Sequence, residues 1–143
     1  MILVDTSVWI AHLNNGDNQL AWYLQQGQVL MHPFVLGELA CGNLRQRQQL
    51  LTLLKQLPKC TCATDAEVLF FIERQHLMGK GIGYVDAHLL AAVALDGTSG
   101  LWTYDQRLTR AAEELGLATS PTRQGNLHES APQQKGKNEM KGK

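Results

Sequence analysis

Two short apolar stretches, MILV at residues 1–4 and GLWTY at residues 100–104, each run into an aspartate and then directly into a helical pattern. An apolar run of this length without polar alternation reads as a strand buried on both faces, and a helix following at once marks an alternating strand and helix order. The remaining punctuation agrees. Helices are predicted from Ser7 to about Leu13 and from about Asn18 to Gln26, then a strand from Gln28 to Met31, then a helix from Pro33 to about Gly42, with proline suited to a first turn. An amphipathic helix from Arg45 to Leu57 stops at Pro58, Lys59 to Ala63 reads as a further strand, and Thr64 with Glu67 forms a capping box for a helix running towards Met78. Gly79, Gly81 and Gly83 form a loop before the helix in GYVDAHLLAAVAL, Gln106 to Leu115 is a last helix, and Leu117 to Thr119 a last edge strand. The expected fold is α/β, a central mostly parallel sheet with helices on both faces.

At 143 residues the chain holds one domain with a substantial core. Thirteen basic residues balance thirteen acidic ones, so net charge alone names no nucleic-acid or membrane partner. From Ser120 onward, however, five basic residues face two acidic ones in a stretch of Pro, Gln, Gly, Lys and Ser. Such a composition buries too little to recover its ordering entropy, so residues 120–143 are expected to be a disordered basic tail, and residues 1–119 the folded domain. The apolar start is too short for a signal segment, no run reaches membrane-spanning length, and Cys41, Cys60 and Cys62 show neither CxxC spacing nor an adjacent histidine pair that would suggest zinc. Reduced thiols in a cytoplasmic protein are the expectation.

Four acids occupy element ends. Asp5 and Asp105 follow two of the strands, at the rim where open α/β sheets bind ligands. Glu38 borders the apolar arc of the helix in HPFVLGELACG, and Asp86 shares a helical face with Leu89, Leu90 and Val93, which points it inward. Taken singly, each aspartate is an ordinary helix cap, by roughly two to one, and Glu38 an ordinary exposed charge. Taken together, carboxylates converging on one rim raise one another's pKa unless a cation resolves the conflict, and hard oxygens without His or Cys suit Mg²⁺ or Mn²⁺.

In order, MILVDTSVWIAHL, GELACGNL, GIGYVDAHLLAA and LWTYDQRL resemble the motif set of PIN-domain ribonucleases, specifically the VapC toxins of bacterial type II toxin–antitoxin systems. The likeness runs from Met1 to about Leu117 and does not reach the tail. It implies a Mg²⁺- or Mn²⁺-dependent endoribonuclease acting on structured RNA such as tRNA or rRNA, a homodimer, and inhibition by a cognate antitoxin. It implies that Asp5 and Asp86 are the principal metal ligands, with Glu38 and Asp105 as second-rank or water-mediated ligands, and that Thr6, Ser7 and Thr103 donate to these carboxylates. The competing class is a PIN binding module acting mainly in an antitoxin repressor complex, which four intact acids argue against. A phosphatase using an aspartyl phosphate is disfavoured because Asp5-Thr6-Ser7 lacks a second aspartate two positions on.

An acidic pocket needs cations nearby to hold RNA, and Arg45, Arg47, Lys80 and Arg107, with Arg110 beside the last, are the candidates; individually each is more often a solvated surface charge. His32 and His88 are set aside as general bases, since His88 falls on the far side of its helix from Asp86. Trp9, Trp22 and Trp102 could stack bases, but their apolar settings favour packing, most clearly for Trp9 and Trp102.

Overall fold

A computed structural model describes residues 1–119, so the basic tail lies outside the described residues. The elements run β1 (Ile2–Val4), α1 (Thr6–Asn15), α2 (Asn18–Gln25), β2 (Val29–Leu30), α3 (Pro33–Ala40), α4 (Arg47–Lys55), α5 (Asp65–Arg74), α6 (Tyr84–Asp96), β3 (Gly100–Trp102) and α7 (Gln106–Glu114). The three strands form one parallel sheet in the order β2-β1-β3, with Leu3 opposite Leu30 on one side and Leu101 on the other. Ile2, Leu3 and Val4 are all buried. Successive strand residues face opposite sides, so burial of all three shows that both faces of the sheet are covered, as the unbroken apolar run predicts.

The predicted strands at residues 59–63 and 117–119 are reduced to single parallel bridges, Met31 with Lys59 and Leu101 with Ala118. The first has a clear reason. Met31 donates to Pro58 O and its own carbonyl accepts from Cys60 N, but the neighbouring backbone turns into α3 at Pro33 and leaves nothing for residues beyond Cys60 to pair with. The helix predicted to run towards Met78 ends at Arg74 instead. His76 takes a left-handed φ of 54°, and Leu77 N donates to Ile72 O while His76 N donates to Glu73 O, which is a Schellman stop built without glycine. The helix predicted from Arg45 begins at Arg47, after Gln46 in a left-handed conformation. The Thr64–Glu67 capping box is present, with Thr64 N donating to Glu67 Oε1 at 2.7 Å and Glu67 N donating to Thr64 Oγ1 at 3.1 Å.

Helix α6 is buried without a break from Ala87 to Val93. Its one side leans on β3 and its other on α5, so it is a central helix with no single wet face. Trp9 and Trp102 lie in the core, and the partly buried Trp22 packs edge-on against Tyr23. No helix among the described residues is long and apolar enough to cross a membrane.

Candidate active site

Parallel pairing places the carboxyl ends of β1 and β3 side by side, and Asp5 N extends the ladder by donating to Trp102 O at 2.9 Å. Asp5 therefore leaves the sheet next to Thr103. Its carboxylate is buried, yet its side chain makes no cap bond to α1, where the Val8 and Trp9 N–H groups donate to the Asp5 backbone carbonyl. The side chain turns the other way. Its Oδ2 accepts from Ser7 Oγ and from Thr103 Oγ1, both at 2.7 Å. Those hydroxyls are themselves held, because Ser7 Oγ accepts from Tyr104 N and Thr103 Oγ1 from Asp105 N, each at 3.0 Å. Each hydroxyl spends its only proton on Asp5 and receives one from the β3 end, so the ladder fixes the position of the Asp5 carboxylate to within a single rotamer.

Asp105, at the matching end of β3, does cap its helix. Its Oδ1 accepts from Leu108 N at 3.0 Å, and the residue is exposed. Glu38 is exposed on α3, where packing of α3 against α1 brings it to Thr6, whose Oγ1 donates to Glu38 Oε1 at 2.5 Å. Asp86 stands in the first turn of α6 and is partly buried; Gly83 N donates to its Oδ2 at 3.0 Å, which closes the turn at the helix start. Here the inward pointing predicted from the helical wheel has a different basis, since the whole turn beyond Asp86 is buried and no apolar face is distinguished from a polar one.

The four acids share one electrostatic neighbourhood. The Asp86 carboxyl is raised above its ordinary range, first by burial, against which the Gly83 N–H acts, and then by the charges of Asp5, Asp105 and Glu38. Among the described residues the ion pairs are Lys80 with Glu114 and His88 with Asp65, and neither includes any of these acids. Carboxylates that repel one another and enter no ion pair among the described residues fit a hard divalent ion.

The basic candidates divide. Arg47 donates to Ala40 O and Gly42 O, which ties off the end of α3. Arg45 is exposed in the preceding loop. Lys80 is paired with Glu114 at 2.7 Å, and with Arg107 and Arg110 it lines an open cavity of about 290 Å³ along α7. Arg107 lies across Gly81, where an added Cβ would come within 2.7 Å of Arg107 Cδ; glycine there lets the arginine lie flat and also supplies the left-handed φ of 78°. His88 is buried, with Nε2 3.1 Å from Asp65 Oδ1 and its ring against Phe34 and Tyr84. Tyr104, which no motif singled out, donates through its N–H to Ser7 Oγ at 3.0 Å and through its hydroxyl to Asp17 Oδ2 at 2.7 Å. Only the pairing of β1 with β3 would have revealed it.

The PIN domain family model matches residues 2–114, a span that contains all four acids. Ribonuclease VapC32 of Mycobacterium tuberculosis, from strain CDC 1551 / Oshkosh and from strain ATCC 25618 / H37Rv, is 48% identical to this chain over 118 residues, which covers 82% of this chain and 95% of the relative.

Proposed function

Since the chain belongs to the PIN-domain family, in its VapC ribonuclease group, we propose that it is the toxic component of a type II toxin–antitoxin system, a Mg²⁺- or Mn²⁺-dependent endoribonuclease. The observation that carries this reading is that the charges of Asp5, Asp105 and Glu38 all act on the half-buried Asp86, while no ion pair among the described residues includes any of the four. In this reading Asp5 and Asp86 hold the ion directly, while Glu38 and Asp105 act as second-rank or water-mediated ligands. Bound there, the ion would polarise a phosphoryl oxygen of RNA and make a water acidic enough to attack in line.

The chain's own residues supply the rest. Ser7 and Thr103 hold the Asp5 carboxylate at one orientation, so that its ordering is complete before any ligand arrives. Thr6 does the same for Glu38 from α1, which makes the position of that acid depend on the α1–α3 contact. Capping restrains Asp105 through Oδ1 and leaves its second oxygen available. Lys80, Arg107 and Arg45 are assigned to the RNA backbone, with Arg47 serving the end of α3 instead. The substrate is a specific structured cellular RNA, tRNA or rRNA, and the partners are a cognate antitoxin and a second copy of the chain; the site of action is the cytoplasm.

Brief induction in cells followed by sequencing of newly formed RNA 5′ ends tests this. A small set of cut positions bearing 5′ phosphates, together with growth arrest that Asp86→Asn abolishes, is expected. Undiminished arrest by Asp86→Asn, or no new ends, would refute the assignment.

A further inference from the structure

A second cluster of ligand-type side chains lies away from the acids. The single bridge between Met31 and Lys59 sets the register of the chain leaving β2 against the segment after α4. The next pair is then His32 and Cys60, side by side, and because extended chain repeats its direction every second residue, Cys62 returns to the side of Cys60. Nitrogen and sulfur ligand atoms of His32, Cys60 and Cys62 all lie within 4.8 Å of one another. His32 is 1% exposed, and its Nε2 is buried without a hydrogen-bond partner, while Nδ1 accepts from Phe34 N at 3.0 Å at the start of α3. Cys60 is buried and Cys62 is exposed, which opens one side of the cluster to solvent.

We propose that His32, Cys60 and Cys62 bind a thiophilic d¹⁰ cation, Zn²⁺ or Cu⁺, at a site separate from the carboxylates. Two thiolates and an imidazole form a soft to borderline donor set, the opposite of the four-oxygen set on the rim, so one chain discriminates between two classes of metal by ligand chemistry alone. Three protein donors complete a three-coordinate Cu⁺ site; Zn²⁺ would add a solvent ligand on the open side at Cys62. Binding releases two protons, one from each thiol. The imidazole stays neutral but its hydrogen bonding changes. Coordination through Nε2 moves the ring proton to Nδ1, and coordination through Nδ1 consumes its lone pair; by either route Phe34 N–H loses its acceptor. That amide is therefore an obligatory reporter of occupancy, and it lies on the helix that carries Glu38.

The test uses the full chain, reduced and stripped of metal. Zn²⁺ is titrated against a chromophoric chelator, Cu⁺ anaerobically against its own chelator, and Co²⁺ is used for the absorption of thiolate bound to metal. The expected result is one Zn²⁺ or Cu⁺ per chain and a thiolate-to-Co²⁺ band. Affinity should fall 10-fold or more in Cys62→Ser, whose exposed position keeps folding intact, and be unchanged in Cys41→Ser and Asp5→Asn. The Phe34 amide resonance should shift on loading. Absence of the band, binding unaffected by Cys62→Ser, or binding abolished by Asp5→Asn would overturn the proposal, the last by assigning the ion to the acidic rim.

Discussion

Asp5 and Asp105 occupy the same place in two strand-to-helix junctions, and they do different things. Each follows an apolar parallel strand and precedes a helix. Asp105 spends one carboxylate oxygen on Leu108 N, is exposed, and behaves as the cap its position predicts. Asp5 leaves the helix to its own backbone carbonyl and gives Oδ2 to two hydroxyls, one of them on the neighbouring strand end. The difference is decided by what lies beside each strand. β1 is central and β3 is its neighbour, so the Asp5 side chain meets Thr103 at close range and is buried, whereas the end of β3 faces outward. A buried carboxylate held by hydroxyls and unpaired with any cation is retained at a cost of several kcal/mol unless a ligand offsets it. Capping explains Asp105 in large part; it explains Asp5 not at all.

Substitutions that treat the two junctions alike should separate them. The largest effect is expected from Asp5→Asn, a loss of about a thousandfold in RNA cleavage, about 4 kcal/mol of transition-state stabilisation, with folding little changed because the amide oxygen still accepts from both hydroxyls; rates measured in single turnover with circular dichroism as the folding control check this. Thr103→Val comes next. It removes the donor to Asp5 and the acceptor for Asp105 N together, so activity should fall 10- to 100-fold and stability by about 1 to 2 kcal/mol in denaturant titration, with Thr103→Ser restoring both. At the other junction, Asp105→Asn keeps the cap and isolates the charge, with activity expected to fall about 10-fold. Asp105→Ala should add a stability loss of about 1 kcal/mol, roughly 5 °C in Tm by calorimetry. Equal stability losses for Asp5→Ala and Asp105→Ala would show that both are caps and would break the comparison. The smallest effect is expected at the basic cavity next to Asp105. Lys80→Ala should leave stability within about 0.5 kcal/mol, since its pair with Glu114 is exposed, and should lower the slope of log affinity for RNA against log salt by about 0.7 to 0.9 in filter binding.

How much of this was legible in the sequence depends on distance along the chain. β1, β3, the Thr64–Glu67 capping box and the four acids at element ends were readable because apolar period and cap chemistry are local. The end of α5 was not, because a left-handed histidine carries no glycine to announce it. Reduction of the segment after Pro58 to one bridge was hidden for another reason: the strand prediction saw the extended residues but not that their partner chain turns into α3. Composition could not tell Asp5 from Asp105, since the choice rests on Thr103, which lies 98 residues from Asp5. For the same reason the cysteines read as unconnected thiols: that His32 lies beside Cys60 and Cys62 follows from the bridge of Met31 with Lys59 and not from spacing along the chain. Arg47, grouped by charge with the other basic residues, is distinguished only by the carbonyls it reaches at the end of α3.

Whether the buried Asp5 carboxylate is a metal ligand or a structural acid is decided by Mn²⁺ binding to the wild type, Asp5→Asn and Asp105→Asn, followed by the paramagnetic relaxation of water protons. A tenfold or greater loss of Mn²⁺ affinity is expected in Asp5→Asn, a clearly smaller loss in Asp105→Asn, and RNA cleavage that follows the bound fraction. Unchanged Mn²⁺ binding and cleavage in a folded Asp5→Asn protein would contradict the ligand role.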